Sequence, residues 1–326
     1  MRDGPWSRVW HGLGQRRGAM AALGLLGLIV AASLAAPFYA AWVGVDPFVS
    51  NVAGTTLRHG QVVDLMQPND NPLHLGLTPL GPDWRIGEAY ALGSDAQGRD
   101  VAARVLYGGR NSLLISAAAA ILCMMTATVV GLCAGYFGGW VDIVLSRMLD
   151  VLWAIPVYLL AISLSIVTVG HGLRLGPVTI GADNLLIPVI IIALVYIPYA
   201  ARPLRARALS LSRAEFVMVS RGLGASHWRI LTREILPNLA DTLVVLAPLL
   251  MALCLLAESS LSFLSLGVQA PAASWGTIIQ DGEGLLYTRP AVAILPGLMI
   301  VATVLSLNVL GDALRDTLDP KRRGRS

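Results

Sequence analysis

Charged residues make up only 13% of this 326-residue chain against 55% hydrophobic, so any chemistry must come from a few polar clusters. The single lysine is Lys321, followed by Arg322. A Gly-x-x-x-x-Gly-Lys-Ser/Thr phosphate loop requires a lysine followed by a hydroxyl, so the chain carries no nucleotide site of that kind. His11, His59, His74, His171 and His227 stand at no metal-ligand spacing, which leaves a metal or haem site unsupported. No nucleophile elbow marks an activated serine. Cys123, Cys133 and Cys254 lie in apolar runs and none lies in a polar segment, the pattern of packing residues and not of a disulfide framework. Three polar constellations remain: Asp95-x-x-Gly98-Arg99-Asp100, the charges Arg147, Asp150 and Glu258 within apolar runs, and a charged island from Ser212 to Ile230.

The island reads Ser212-Arg-Ala-Glu-Phe-Val-Met-Val-Ser-Arg-Gly-Leu-Gly-Ala-Ser-His-Trp-Arg-Ile230 and is closed by Ile235-Leu-Pro-Asn238. Glu215 to Arg221 predicts one short helix. Gly222-Leu223-Gly224-Ala225-Ser226 then permits a tight turn, with Ser226 placed to cap a following turn through Trp228 and Arg229. Phe216, Val219 and Leu223 fall at helical spacing and form an apolar ridge. Two readings fit that ridge: a helix shaped to enter a groove on a partner, or an amphipathic helix held on lipid headgroups by its arginines. Periodicity alone leaves both open.

The Asp95 to Asp100 element reads locally as a loop-to-helix junction in which Asp95 caps or Asp100 pairs with Arg104 at four-residue spacing. Its second reading is an external gate or docking element. Within lipid a charge is costly and needs a reason. Glu258 is expected to face the bundle interior or a wet cavity, with Ser259, Ser260 or a neighbouring subunit as partner, in packing or gating more than in substrate contact. Arg147 and Asp150, three apart, are expected to pair locally. Pro156, Pro188, Pro198, Pro248 and Pro296 mark places for kinks, and Gly131-x-x-x-Gly135 allows close helix approach.

The elements that position these residues follow from hydropathy. A mean hydropathy of +0.66 places the chain among polytopic membrane proteins, and about 20 apolar residues cross the bilayer as a helix. Six such runs occur, at Met20–Trp42, Arg110–Gly135, Val141–Val169, Leu185–Arg205, Pro237–Leu266 and Ala291–Gly311. Arg2, Arg8, Arg16 and Arg17 precede the first. Arg202, Arg205, Arg207, Arg213, Arg221, Arg229 and Arg233 crowd the loop after the fourth, and Arg315, Lys321, Arg322, Arg323 and Arg325 follow the last. Threading six spans puts all three clusters on one face, the cytoplasmic one by the positive-inside rule. The net charge of +4 is mostly this bias, and no basic stripe interleaved with aromatics points to nucleic acid. Val43 to Val105 is too polar for lipid and forms an external loop or small lobe. A rival reading of the first span is a secretory signal peptide, with Arg16-Arg17, the apolar run and Ala31-Ala-Ser-Leu-Ala-Ala36 as its parts; five further spans and the length of the run favour an anchor.

Five segments taken together resemble the second permease subunit of the peptide and nickel subgroup of ABC importers, over about 230 residues. They are Leu92-Gly-Ser-Asp-Ala-Gln-Gly-Arg-Asp-Val101 with Arg104-Val-Leu-Tyr-Gly-Gly-Arg110; Gly135-Tyr-Phe-Gly-Gly-Trp-Val-Asp142 with Arg147 and Asp150; the charged island; Glu258-Ser-Ser-Leu-Ser-Phe-Leu-Ser-Leu-Gly267 followed by Ser274-Trp-Gly276; and Asn308-Val-Leu-Gly-Asp-Ala-Leu-Arg-Asp-Thr-Leu-Asp-Pro320. Where such permeases often read Glu-Ala-Ala in the island, this chain reads Met218-Val219-Ser220, which removes a charge from the expected contact.

The resemblance implies an all-α polytopic membrane protein with six transmembrane helices and the type I ABC importer permease fold. Its parts would be a cytoplasmic segment 1–19, a first transmembrane helix 20–42, an external loop or lobe 43–105, a five-helix core 106–313 with a cytoplasmic coupling loop 206–236, and a basic tail 314–326. Coupling to an ATPase would fall to Glu215, Phe216, Val219, Arg221, Gly222, Leu223, Gly224, Ala225, Ser226 and Trp228. Asp95, Gly98, Arg99 and Asp100 would serve binding-protein docking or an external gate. The expected partners are a homologous permease, two ATPase subunits holding ATP and magnesium, an external substrate-binding protein and the bilayer. Short peptides lead as cargo, with nickel complexes, glutathione-like thiols or haem as alternatives. An ion-gradient transporter or channel is the other class, disfavoured because Glu258 has no evident acidic partner and no inverted repeat is visible.

Overall fold

A computed structural model describes residues 14, 16–69, 76–85, 87–175 and 178–318. Arg2, Arg8, His11, Asp70, His74, the Asp319-Pro320 end of the last motif and the basic tail from Lys321 lie outside the described residues. Five helices are long and apolar enough to cross a membrane: α1 (Arg17–Leu34), α3 (Val101–Phe137), α6 (Leu186–Ser212), α8 (His227–Phe263) and α10 (Ala291–Leu318). Shorter helices are α2 (Ala36–Val43), α4 (Gly139–Ala154), α5 (Val157–His171), α7 (Glu215–Gly222) and α9 (Trp275–Glu283).

The third expected span is not one helix. Between α4 and α5 the chain bends by 86°, because Pro156 donates no backbone hydrogen bond and holds Ile155 extended, with φ −93° and ψ 131°. Two ion pairs orient α4. Asp142 receives Arg205, and Asp150 receives Arg202 at 2.9 Å. The two acids stand about 12 Å apart along α4 but their partners only about 4.5 Å apart along α6, at 1.5 Å per residue. The helix α4 is therefore tied to the last turns of α6 at both acids, and α5 leaves it at a sharp angle.

Two other spans begin earlier than their apolar runs. The helix α3 starts at Val101 and not at Arg110, since Asp100 caps it by accepting from the Ala103 amide at 2.7 Å. The helix α8 starts at His227 and not near Pro237. Its first turns include a π-helical stretch, Ile230–Ile235, just before Pro237, where the wider turn accommodates a residue that cannot donate into the ladder.

The polar segment after α2 forms a small lobe of two antiparallel hairpins, β1 (Thr55–Arg58) with β2 (Gln61–Asp64) and β3 (Met66–Pro68) with β4 (Leu77–Pro79). The first turns through His59 and Gly60, both with positive φ, as a two-residue hairpin loop requires. Leu65, Leu80 and Tyr90 form the lobe's own core. A third hairpin, β5 (Leu173–Leu175) with β6 (Val178–Ile180), joins α5 to α6.

Lipid provides no hydrophobic drive between helices, so close packing must hold them together. The tightest seam runs between α3 and α6. A Cβ on Gly131 would stand 2.9 Å from the Leu204 Cβ, and one on Gly135 2.7 Å from the Ala208 Cβ and the Arg205 carbonyl oxygen. The first and last of these helices meet as well: Arg16 donates to Asp316 at 2.7 Å, clasping the start of α1 to the last turn of α10. Since α1 ends and α3 begins at the lobe, that clasp and the end of α3 lie on the opposite face. We expect Gly135→Ala to destabilise the protein by about 1–3 kcal/mol through overpacking, read as a lower thermal unfolding midpoint in detergent. Gly24→Ala, inside α1 and meeting nothing within 4 Å, should not lower the midpoint, since alanine favours a helix interior over glycine.

Candidate functional site

On the face opposite the lobe, the charged island folds into α7, a turn and the start of α8. Glu215 stands in the first turn of α7 and Arg221 in its last, each sign matched to the helix dipole. Val217 is fully buried against the bundle, while Phe216, Met218 and Val219 point outward. The expected helix runs one residue further than Arg221, so Gly222 closes it and Leu223 caps it. Gly224 takes φ +79°, a left-handed conformation that glycine adopts without steric cost. Ala225 packs onto the core. Ser226 accepts from the Arg229 amide at 3.3 Å and opens α8, the predicted cap.

Leu223 is 83% exposed and Trp228 75%. With Phe216 and Val219 they leave four large apolar side chains exposed on the short helix and around the turn.

At the lobe, four charges interlock. Asp95 accepts from Arg99 Nε at 2.7 Å and lies 3.3 Å from Arg104 Nε; its other oxygen accepts from the amides of Gln97 at 2.8 Å and Arg99 at 3.0 Å. Asp281, on α9, accepts from Arg99 Nη2 at 2.8 Å and from Arg104 Nη2 at 2.7 Å. Asp95, Arg99 and Arg104 are buried. Two arginines thus balance two aspartates, the condition under which buried charges are tolerated. The expected roles of the two acids are exchanged: Asp100 caps α3 and also accepts from the Tyr90 amide, while Asp95 pairs with Arg104. Gly98, at φ +71°, is pressed against the Asn51 carbonyl with no room for a Cβ. Asp281 carried no signal in the sequence; no local motif marks it.

Glu258 is completely buried in α8 and lies in a cage of serines. Ser262 donates to it at 2.8 Å and Ser259 at 3.3 Å, and Ser112 and Ser274 stand beside it. Ser259 was expected. Ser260 instead turns back to the Leu256 carbonyl at 2.8 Å, and Ser112, Ser262 and Ser274 were not foreseen. The cage joins α8 to α3 and to the cap of α9, where Ser274 and Thr277 form a capping box. Trp275 adds a bond from its indole to the Val105 carbonyl at 3.0 Å. Arg147 and Asp150 do pair, at 3.6 Å, on α4, where Arg147 is largely exposed and Asp150 bonds Arg202 more closely. Neither side chain is buried within the bundle.

Comparison with known proteins agrees with this architecture. The family model of the binding-protein-dependent transport system inner membrane component matches residues 127–324, and that of the N-terminal TM domain of oligopeptide transport permease C matches residues 4–51. The glutathione transport system permease protein GsiD of Pectobacterium atrosepticum is 39% identical over 233 residues, 72% of this chain and 73% of that protein. The dipeptide transport system permease protein DppC of Alkalihalophilus pseudofirmus is 37% identical over 231 residues, 71% and 72% of the two chains. Among solved structures, an inward-facing MetNI methionine ABC transporter superposes with a TM-score of 0.51 at 18% identity, covering 66% of this chain and 96% of that one, a likeness of fold. With the helical bundle, the matched family region and relatives that share over two thirds of its length, the chain belongs to the family of binding-protein-dependent transport system inner membrane components and is a permease subunit of an ABC importer.

Proposed function

We propose that this permease forms half of the translocation pathway for short peptides, in company with a homologous permease and two ATPase subunits that hold the ATP and magnesium. The observation that carries the coupling half of this reading is the apolar crest of Phe216, Val219, Leu223 and Trp228 on a short helix and turn facing away from the bundle. Val217 and Ala225 pack the crest onto the core, and its turn leads directly into α8. A groove on an ATPase that grips it can transmit a rigid-body push when ATP binds. Charge placement supports putting this face, and with it both termini, in the cytoplasm. Glu258, satisfied by serines and without an acidic partner, supports a passive conduit over an ion-driven one.

Peptide cargo is supported by what related permeases are named for, a dipeptide in one case and glutathione in another. A glutathione-like tripeptide is therefore the second reading within the same cargo class. On the lobe side an external binding protein would deliver substrate. The network of Asp95, Arg99, Arg104 and Asp281 would serve as a gate element by fixing the lobe to α9, with Gly98 and Asp100 shaping the junction.

Two experiments test this. In vesicles reconstituted with both permeases, the ATPases and the binding protein, Leu223→Asp should abolish ATP-driven uptake of labelled di- to pentapeptides while the permease pair still assembles, since Leu223 is almost wholly exposed; wild-type uptake would remove the coupling assignment. Asp281→Ala should weaken the lobe's attachment by about 3–5 kcal/mol, the cost of leaving a buried charge partly unpaired. The readout is faster amide hydrogen exchange across residues 95–104 and loss of ATP hydrolysis stimulated by the loaded binding protein, with basal hydrolysis retained.

A further inference from the structure

Tyr136 lies one residue from the end of α3 and is 7% exposed. Both arms of the exposed turn land on its ring. Arg221, in the last turn of α7, places its guanidinium carbon 5.3 Å from the ring centroid, inside the range of a cation–π contact. His227, the first residue of α8, places Nδ1 2.8 Å from the Tyr136 hydroxyl, and the two rings meet edge-on with centroids 5.6 Å apart. Phe137 stands against both aromatic rings, with centroids at 5.1 Å from Tyr136 and 5.8 Å from His227. One side chain of α3 therefore fastens the residue before the turn and the residue after it.

What lies on either side of this ring gives it a role beyond filling space. Immediately before it, Gly135 and Gly131 lock α3 against α6 with no room for a methyl group, so a displacement of Tyr136 moves both helices. The other exit from the turn is the covalent one, into α8. There the π-helical stretch Ile230–Ile235 and Pro237 interrupt the regular ladder, which makes this the more compliant joint.

Resting on the coupling reading above, we propose that Tyr136 is a positioning residue that delivers movement of the exposed turn to the α3–α6 pair, in parallel with the covalent path into α8. Its hydroxyl and ring act as a clamp on His227 and Arg221. When the ATPases pull or release the turn, α3 and α6 follow because the clamp holds.

The test compares cargo moved per ATP hydrolysed in the fully reconstituted importer, with the ATP KM and ATPase co-purification as controls. Tyr136→Ala should lower that ratio by about 10-fold while both controls stay at wild-type values. Tyr136→Phe keeps the ring under Arg221 and loses only the hydroxyl, so it should lower the ratio less. His227→Ala should lower the ratio at least as much as Tyr136→Phe, since it also removes the ring contacts, and the Tyr136→Phe/His227→Ala double variant should lose no more than His227→Ala alone, because both changes remove the same hydrogen bond; this arm stands even if Tyr136→Ala fails to fold. An unchanged ratio in Tyr136→Phe and His227→Ala, additive losses in the double variant, or uptake and hydrolysis falling together would overturn the proposal. Leu223→Asp run alongside separates the two ideas: if it abolishes uptake while the Tyr136 variants keep the ratio, only the clamp is wrong, whereas wild-type uptake in Leu223→Asp removes the coupling reading itself.

Discussion

A hydrocarbon slab offers no partner to a charge or to a free backbone amide, and that single constraint sorts the polar residues of this permease. Charges are driven to the two ends of the bundle, where they organise a lobe network on one side and a charged turn on the other. Glu258 remains in the interior because Ser112, Ser259, Ser262 and Ser274 surround it with hydroxyls. Beside it, Ser112 of α3 accepts from the Trp275 amide of α9 at 3.1 Å, so α3 and the start of α9 are tied together against the face of α8 that carries Glu258. A polar group that lipid would reject thus becomes a fixed point.

The helix α3 connects the two ends. Its 37 residues span about 55 Å at 1.5 Å per residue, well beyond the roughly 30 Å hydrocarbon core. The excess is what lets Arg104 join the lobe network at one end while Tyr136 meets the charged turn at the other. Apolar periodicity alone finds only the lipid-spanning middle of such a helix, which is why the run beginning at Arg110 misses its first turns, where Arg104 meets Asp95 and Asp281.

Local features were legible in the sequence and distant ones were not. The helix from Glu215, the glycine turn and the Ser226 cap each depend on residues within a few positions, and Gly131 with Gly135 signals a close approach without naming the partner helix. The break at Pro156 was visible as a proline but not as an 86° bend, because a proline in an apolar run can kink a helix or end it, and Asp142 and Asp150 choose between these by reaching for arginines of α6. Asp281 lies 182 residues from Arg99, and Tyr136 91 residues from His227; no spacing rule connects such pairs. The exchange of roles between Asp95 and Asp100 has the same origin, since four-residue spacing favours Asp100 with Arg104 until the cap claims Asp100.

Stiff and compliant elements divide along the same lines. The α3–α6 seam is closed by backbone contact at two glycines, and its geometry leaves no slack for one helix to move alone. Against it, α8 enters through a π-helical stretch, carries Pro237 and Pro248, and is pinned deeper in by Glu258. On the coupling proposed above, a push on the exposed turn would meet an α8 whose ladder is interrupted near its start and an α3–α6 pair closed by contact at Gly131 and Gly135, with Pro198 and Pro203 inside α6 itself. On that proposal the α3–α6 pair would carry displacement toward the lobe, where Arg104 bonds Asp281 of α9. Alternating access would then combine movement of that pair with adjustment at the interrupted start of α8, with the four-charge network at the far end of α3.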